Sequence, residues 1–153
     1  MGLLTPLQDR LVYLDTNVFV YALNAFPPFV KPLIELLQGI DERRVRAVTS
    51  ELTMMELLVV PFRNHDAQAE ARCRMILRPR PCLHLADVSL EVLETAARLR
   101  AENTSLRTPD AIHLATATLA GSQVLLTNDR HFLGLHDVEV LLLSEWVDAV
   151  REE

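Results

Sequence analysis

The sequence predicts an α/β fold, a parallel central sheet flanked by helices on both faces, and three observations carry that prediction. Strand-like and helix-like segments alternate from Leu11 to the last helix, the order that builds a parallel sheet through helical crossovers. Two short apolar runs, LVYL at 11–14 and VLLT at 124–127, stop abruptly on polar residues, as buried strands do when they deliver side chains to the carboxyl edge of an open sheet. The length of 153 residues suits a single domain, 1–153, with a core large enough to fold without staples.

Taken in order, Met1 to Arg10 precede the motif-bearing region and are a candidate flexible N-terminal arm. After the first strand, Val18 to Phe26 is apolar enough for a short buried helix, ended by Pro27 and Pro28. Phe29 to Gln38 reads as a second helix, with Pro32 in its first turn and Gly39 at its end. Val45 to Thr49 is a strand candidate, followed by a helical run from about Thr53 to Phe62 and another from His65 to Leu77, closed by Pro79 and Pro81. Leu83 to Val88 reads as a strand. Ser89 then caps a helix reaching Asn103, whose apolar positions Leu90, Val92, Leu93, Ala96, Ala97 and Leu99 follow the helical period. At the next helix Thr108 suits the N-cap, Pro109 the first position and Asp110 the first turn, where negative charge meets the helix dipole favourably. That helix runs to Gly121, the strand Val124–Thr127 follows, and a last strand, Val138–Leu143, leads to a helix capped by Ser144.

Composition narrows the function. No apolar run approaches the roughly 18 residues that span a bilayer, and the start, MGLLTPLQDR, has no basic stretch ahead of an apolar one, so a membrane or secretory role is not expected. Cys73 and Cys82 are too few for a disulfide framework and lack partners at zinc-ligand spacing; a reduced, cytoplasmic protein is the simplest expectation. A net charge of -6 argues against coating nucleic acid by bulk electrostatics, yet a cluster of carboxylates built to hold a cation contributes to that sum. Lys31 is the only lysine; arginines dominate, in 43–46, in 63–80 and at Arg98, Arg100 and Arg107. Their planar forks suit phosphate contacts, and equally suit pairing with Asp and Glu on solvated helix faces.

The acids form a pattern. Asp15 follows the first strand and Asp129 the strand at 124–127. As neighbours in a parallel sheet the two strands would bring these acids out at one edge, roughly 5–10 Å apart. Asp110 opens the helix before the second of these strands, and a right-handed crossover starts such a helix near that edge. Asp15 also suits a cap of the next helix, and Thr53 with Glu56 has the spacing of a capping box, so structural roles compete for both acids.

LDTN at 14–17, SELTMMEL at 50–57, TPDAIHLATA at 108–117 and TNDRHF at 127–132, in this order and spacing, resemble the PIN domain family, particularly the VapC-type toxin ribonucleases of type II toxin–antitoxin systems. The resemblance covers Leu11 to about Trp146. It implies a PIN-like three-layer fold and a metal-dependent endoribonuclease whose acidic centre is Asp15, Glu56, Asp110 and Asp129, binding Mg2+ or Mn2+, with Thr16, Asn17 and Thr127 around it. It also implies a small antitoxin protein as partner and a homodimer. A housekeeping PIN ribonuclease of RNA maturation or decay, and a PIN-like module that binds RNA or protein without cutting, are the alternatives.

The chemistry is coherent. Four carboxylates brought together raise one another's pKa unless a cation neutralises them, and magnesium takes oxygen ligands while keeping several waters. Water activated by the cation, assisted by a free carboxylate, attacks the RNA phosphodiester in line, so 5'-phosphate and 3'-hydroxyl ends are expected. Thr16 and Thr127 read as hydroxyls that orient a carboxylate or a water, or as turn residues; Asn17 reads as substrate contact or, more simply, as N-cap of the Val18 helix. His113, one turn after Asp110, is expected beside the acids or packed rather than on the metal, since hard cations prefer oxygen. His131 is expected near the phosphate or solvated, Trp146 in the core or a subunit contact, and the segment Arg63 to Arg80 guiding RNA or a partner.

Rival enzyme classes fail on particular residues. A haloacid-dehalogenase phosphatase needs a second Asp where this chain has Asn17, and both it and a response-regulator receiver need a late lysine. No phosphate-binding glycine loop, dinucleotide fingerprint or GxSxG elbow is present.

Overall fold

A computed structural model describes residues 2–134 and 138–151. Five strands, β1 (Leu11–Leu14), β2 (Arg46–Ser50), β3 (Leu83–Ala86), β4 (Val124–Thr127) and β5 (Glu139–Leu142), form one sheet. Its order is β3-β2-β1-β4-β5, and all of the pairings are parallel. Seven helices are seen among the described residues: α1 (Thr16–Leu23), α2 (Val30–Asp41), α3 (Glu51–Arg63), α4 (Ala67–Ile76), α5 (Leu90–Glu102), α6 (Thr108–Leu119) and α7 (Leu143–Arg151). The result is the expected three-layer α/β/α arrangement.

Alternation along β1 divides the core. Val12 and Leu14 face one layer with Leu33, Leu36, Leu57 and Trp146, whereas Tyr13 faces the other with Ala96, Ile112 and Leu114. Helix α6 is buried from Asp110 through Ala117, and its alanines let it nest closely against the sheet and α5.

Several boundaries depart from expectation, each for a local reason. Helix α1 begins at Thr16 and stops at Leu23, where Ala25 turns the chain at φ 49°; Asp15, not Asn17, is its N-cap. Ser50 caps α3 by accepting from the Leu52 amide at 3.0 Å, so the helix starts before Thr53 and no capping box forms at Glu56. Asp66 caps α4, and His65, at φ 51°, separates it from α3. Residue Thr108 lies just inside α6, because its hydroxyl accepts a hydrogen bond from Arg100 instead of capping; Arg107 holds the N-cap position. Ser144 sits within α7 rather than ahead of it.

The N-terminal arm is the clearest correction. Residues Thr5–Leu7 form a short 3-10 turn, and Leu3, Leu4 and Leu7 are buried in the core. Gly39 lies inside α2 rather than ending it, and a Cβ there would meet the Leu4 side chain at 2.6 Å. The missing side chain is what lets Leu4 approach the helix. Trp146 closes the same corner, donating its indole N–H to the Leu3 carbonyl at 2.9 Å, which makes it core.

Candidate active site

The register of β1 and β4 pairs Leu14 with Leu126, and the Asp15 amide extends the ladder to the Leu126 carbonyl at 3.1 Å. Asp15 and Thr127 therefore leave the sheet side by side. The Thr127 hydroxyl donates to Asp15 Oδ2 at 2.6 Å, and Asn17 Nδ2 donates to the same oxygen at 3.2 Å. Asp15 Oδ1 accepts from the Thr16 amide at 2.8 Å, so capping α1 and facing the site are one arrangement of one carboxylate. Thr127 Oγ1 also accepts from the Asp129 amide at 3.0 Å, and Asn17 Oδ1 from the Asn128 amide at 3.2 Å, which ties the two strand ends together. Burial pushes the Asp15 carboxyl above its usual range, despite the opposing pull of His113, the Thr127 hydroxyl and the Thr16 amide.

Glu56 arrives from α3, directed to the sheet edge because Ser50 begins that helix at the end of β2. Its Oε1 accepts from the Thr16 hydroxyl at 2.8 Å and pairs with His113 Nε2 at 2.6 Å. His113, on α6, lies 3.7 Å from Asp15 through the same nitrogen, while its Nδ1 meets the Tyr13 hydroxyl at 2.6 Å. Burial alone would lower the imidazole pKa, but the bond to Glu56 and the charges of Asp15, Glu56 and Asp110 raise it above the ordinary value. Burial pushes Glu56 upward, and the His113 bond and charge with the Thr16 bond overcome that, so its carboxyl is lowered. Tyr13 stays a neutral phenol, raised first by burial and then by the Asp15 charge.

Asp110 and Asp129 form the second half. Asp110 is buried in the first turn of α6, and its Oδ2 accepts from Arg107 Nε at 3.1 Å. Arg107 Nη2 lies 4.0 Å from Asp129 Oδ2. Asp129 Oδ1 caps the 3-10 turn Arg130–Phe132 through the His131 amide and pairs with His131 Nδ1 at 2.7 Å.

Two acids are thus joined by an imidazole and two by a guanidinium. Among the described residues no three Asp, Glu, His or Cys side chains lie close enough together to hold a metal ion. The donor chemistry nevertheless suits a hard divalent cation: the groups are carboxylate oxygens, and a cationic side chain already stands between two of them. Arg107 is the residue whose place here sequence reasoning missed. Its position immediately before TPD was the available signal, but it reads there as one more member of an arginine group. Its companions Arg98 and Arg100 do other work, pairing with Glu94 and bonding to the Leu106 carbonyl and the Thr108 hydroxyl.

A cavity of about 320 Å³ opens beside Glu56 between α1, α3 and α4, with Val20, Leu23, Leu57 and Val60 as apolar lining and Asp66 and Arg72 as charged lining.

Comparison with known proteins gives a consistent picture. The model of the PIN domain family matches residues 12–136. Ribonuclease VapC7 of Mycobacterium tuberculosis is 30% identical over 129 residues, 84% of this chain and 88% of that protein. Among solved structures, a toxin–antitoxin complex from Klebsiella pneumoniae matches at a TM-score of 0.63 with 28% identity, covering 86% of this chain and 97% of the other. VapBC2 from Rickettsia felis, bound to a DNA fragment from its promoter, matches at 0.68 with 20% identity, covering 86% and 98%, a likeness of fold.

Proposed function

The chain belongs to the PIN domain family, and from that premise we propose that it is a metal-dependent endoribonuclease, the toxin of a toxin–antitoxin pair, acting in the cytoplasm as one PIN-like unit. The observation that carries the reading is the junction of β1 and β4: the buried Asp15 carboxylate bound to Thr127, with Glu56, Asp110 and Asp129 brought from α3, α6 and the β4 end. The relation to VapC7, which is a ribonuclease, supports RNA as substrate.

Asp15, Glu56, Asp110 and Asp129 would hold Mg2+ or Mn2+. The ion, when bound, supplies positive charge that acidifies water and offsets the charge growing on the phosphate. The chain's own residues set the stage. Thr127, Asn17 and the Thr16 amide fix the Asp15 oxygens and hold them toward the site. His113 and Thr16 occupy Oε1 of Glu56 and favour its ionised form, which leaves Oε2 to accept a proton from the attacking water.

The antitoxin reading is supported by the Klebsiella complex and by the cavity between α1, α3 and α4, whose apolar walls lead to Glu56. An inhibitory segment lying there would reach the acids at its end. Met55, Val59 and Phe62 form an exposed stripe along α3, which favours self-association as a homodimer. No helix among the described residues is long and apolar enough to cross a membrane.

The test is cleavage of a mixed RNA panel with Mg2+ or Mn2+ by the wild type and by Asp15→Asn. Metal-dependent cutting with 5'-phosphate ends by the wild type, lost in Asp15→Asn, is expected; equal activity of the two overturns the site.

A further inference from the structure

We propose that Arg107 is a tethered cation that holds Asp110 and Asp129 in the metal-free protein and competes with the divalent ion for them. The identity of the incoming ion rests on the ribonuclease reading above; the contacts that define the latch do not.

Arg107 holds the N-cap position of α6 without capping it. A cation is poorly placed at a helix N-terminus, where the backbone dipole presents positive charge. The helix therefore offers no reason for this side chain to lie where it does, whereas the acids do. Its Nε sits 3.1 Å from Asp110 Oδ2 and its Nη2 4.0 Å from Asp129 Oδ2. Without Arg107, Asp110 and Asp129 would be left as like charges on either side of the position it fills. The Asp110 side chain is only 11% exposed and that of Asp129 22%, so solvent screens that repulsion incompletely.

The contact is also built to exchange. The Arg107 side chain is 72% exposed, and ion pairs at exposed positions are weak. The backbone around it is pinned independently: Arg100 bonds the Leu106 carbonyl and the Thr108 hydroxyl, and Ser105 bonds Asn103. Release of the guanidinium needs only side-chain rotation, a fast event that leaves α6 and Asp110 in place. Two carboxylates facing one rotatable cation are a seat only half neutralised, open to a better-charged occupant.

Isothermal titration of Mn2+ into the metal-stripped full chain, with no RNA present, tests this. In Arg107→Ala the dissociation constant should fall by about two- to ten-fold, the range expected from losing competition by weak exposed pairs. Arg107→Gln, uncharged but of similar reach, should tighten likewise, and Arg107→Lys should lie between it and the wild type. Thermal melting gives a second readout: Arg107→Ala should melt lower than the wild type without metal and gain more from saturating Mn2+. Wild-type binding that is unchanged or weakened in Arg107→Ala and Arg107→Gln overturns the latch and leaves the ribonuclease reading standing. Absence of Mn2+ binding in wild type and variants alike overturns both.

Discussion

His113 Nε2 and Glu56 Oε1 meet at 2.6 Å across 57 residues of sequence, in a pocket where the histidine is 2% exposed. A carboxylate only accepts, so Nε2 carries the proton and donates it toward Glu56. The Tyr13 hydroxyl, 2.6 Å from Nδ1, fixes the ring from the opposite side.

This pair gives the metal-free protein a definite pH dependence. His113 is raised above its ordinary 6.5, so its contribution is complete below that value and is lost as pH rises through the folded-state pKa. Glu56 is lowered from 4.5, so its contribution is present above that value and is lost as pH falls through the folded-state pKa. Asp15, raised by burial, opposes stability as it ionises. Melting temperature should therefore be highest in weakly acidic buffer, between the ordinary values of Glu56 and His113. His113→Gln should flatten the alkaline side of the curve; an unchanged profile would refute the assignment.

Thr127 is fully buried, and its hydroxyl bonds Asp15, the Asp129 amide and Asn17. Thr127→Val keeps the shape and strands those partners, which should cost about 1–3 kcal/mol of unfolding free energy in urea titration. RNA cleavage should fall with it, while Thr127→Ser should recover most of both.

Charge reversal separates two neighbouring arginines. Arg72 lines the cavity beside Glu56, whereas Arg74 pairs with Glu70 on the exposed face of α4. In pull-down of a candidate antitoxin protein, Arg72→Glu should weaken capture by about ten-fold, the effect of a like charge set against a specific partner. Arg74→Glu should change it little. Equal effects would remove the cavity from the partner interface.

The close approach of Gly39 and Leu4 predicts coupling. Gly39→Ala places a methyl group against Leu4 and should cost about 1–3 kcal/mol by overpacking. In a Leu4→Ala background the same change should cost much less. Additive effects in denaturant melts would mean that the N-terminal residues do not bear on α2 in solution.

Local signals in the sequence determined the order of elements and singled out Asp15, Asp110 and Asp129 as candidates, while Glu56 joined them only through the family resemblance. Apolar runs ending in LDTN and TND marked strands because side-chain transfer free energy acts over a few residues, and proline and glycine marked breaks for the same local reason. What tertiary structure decided was which of several available partners each polar group takes. Ser50 rather than Thr53 caps α3, and so Glu56 turns to His113; Thr108 bonds Arg100, and so Arg107 stands at the helix start beside Asp110. Leu3, Leu4 and Leu7 enter the core only because Gly39 and Trp146 leave and close a space for them. Each of these choices compares hydrogen bonds or contacts of similar local strength, and the comparison is settled by packing between segments far apart in the chain.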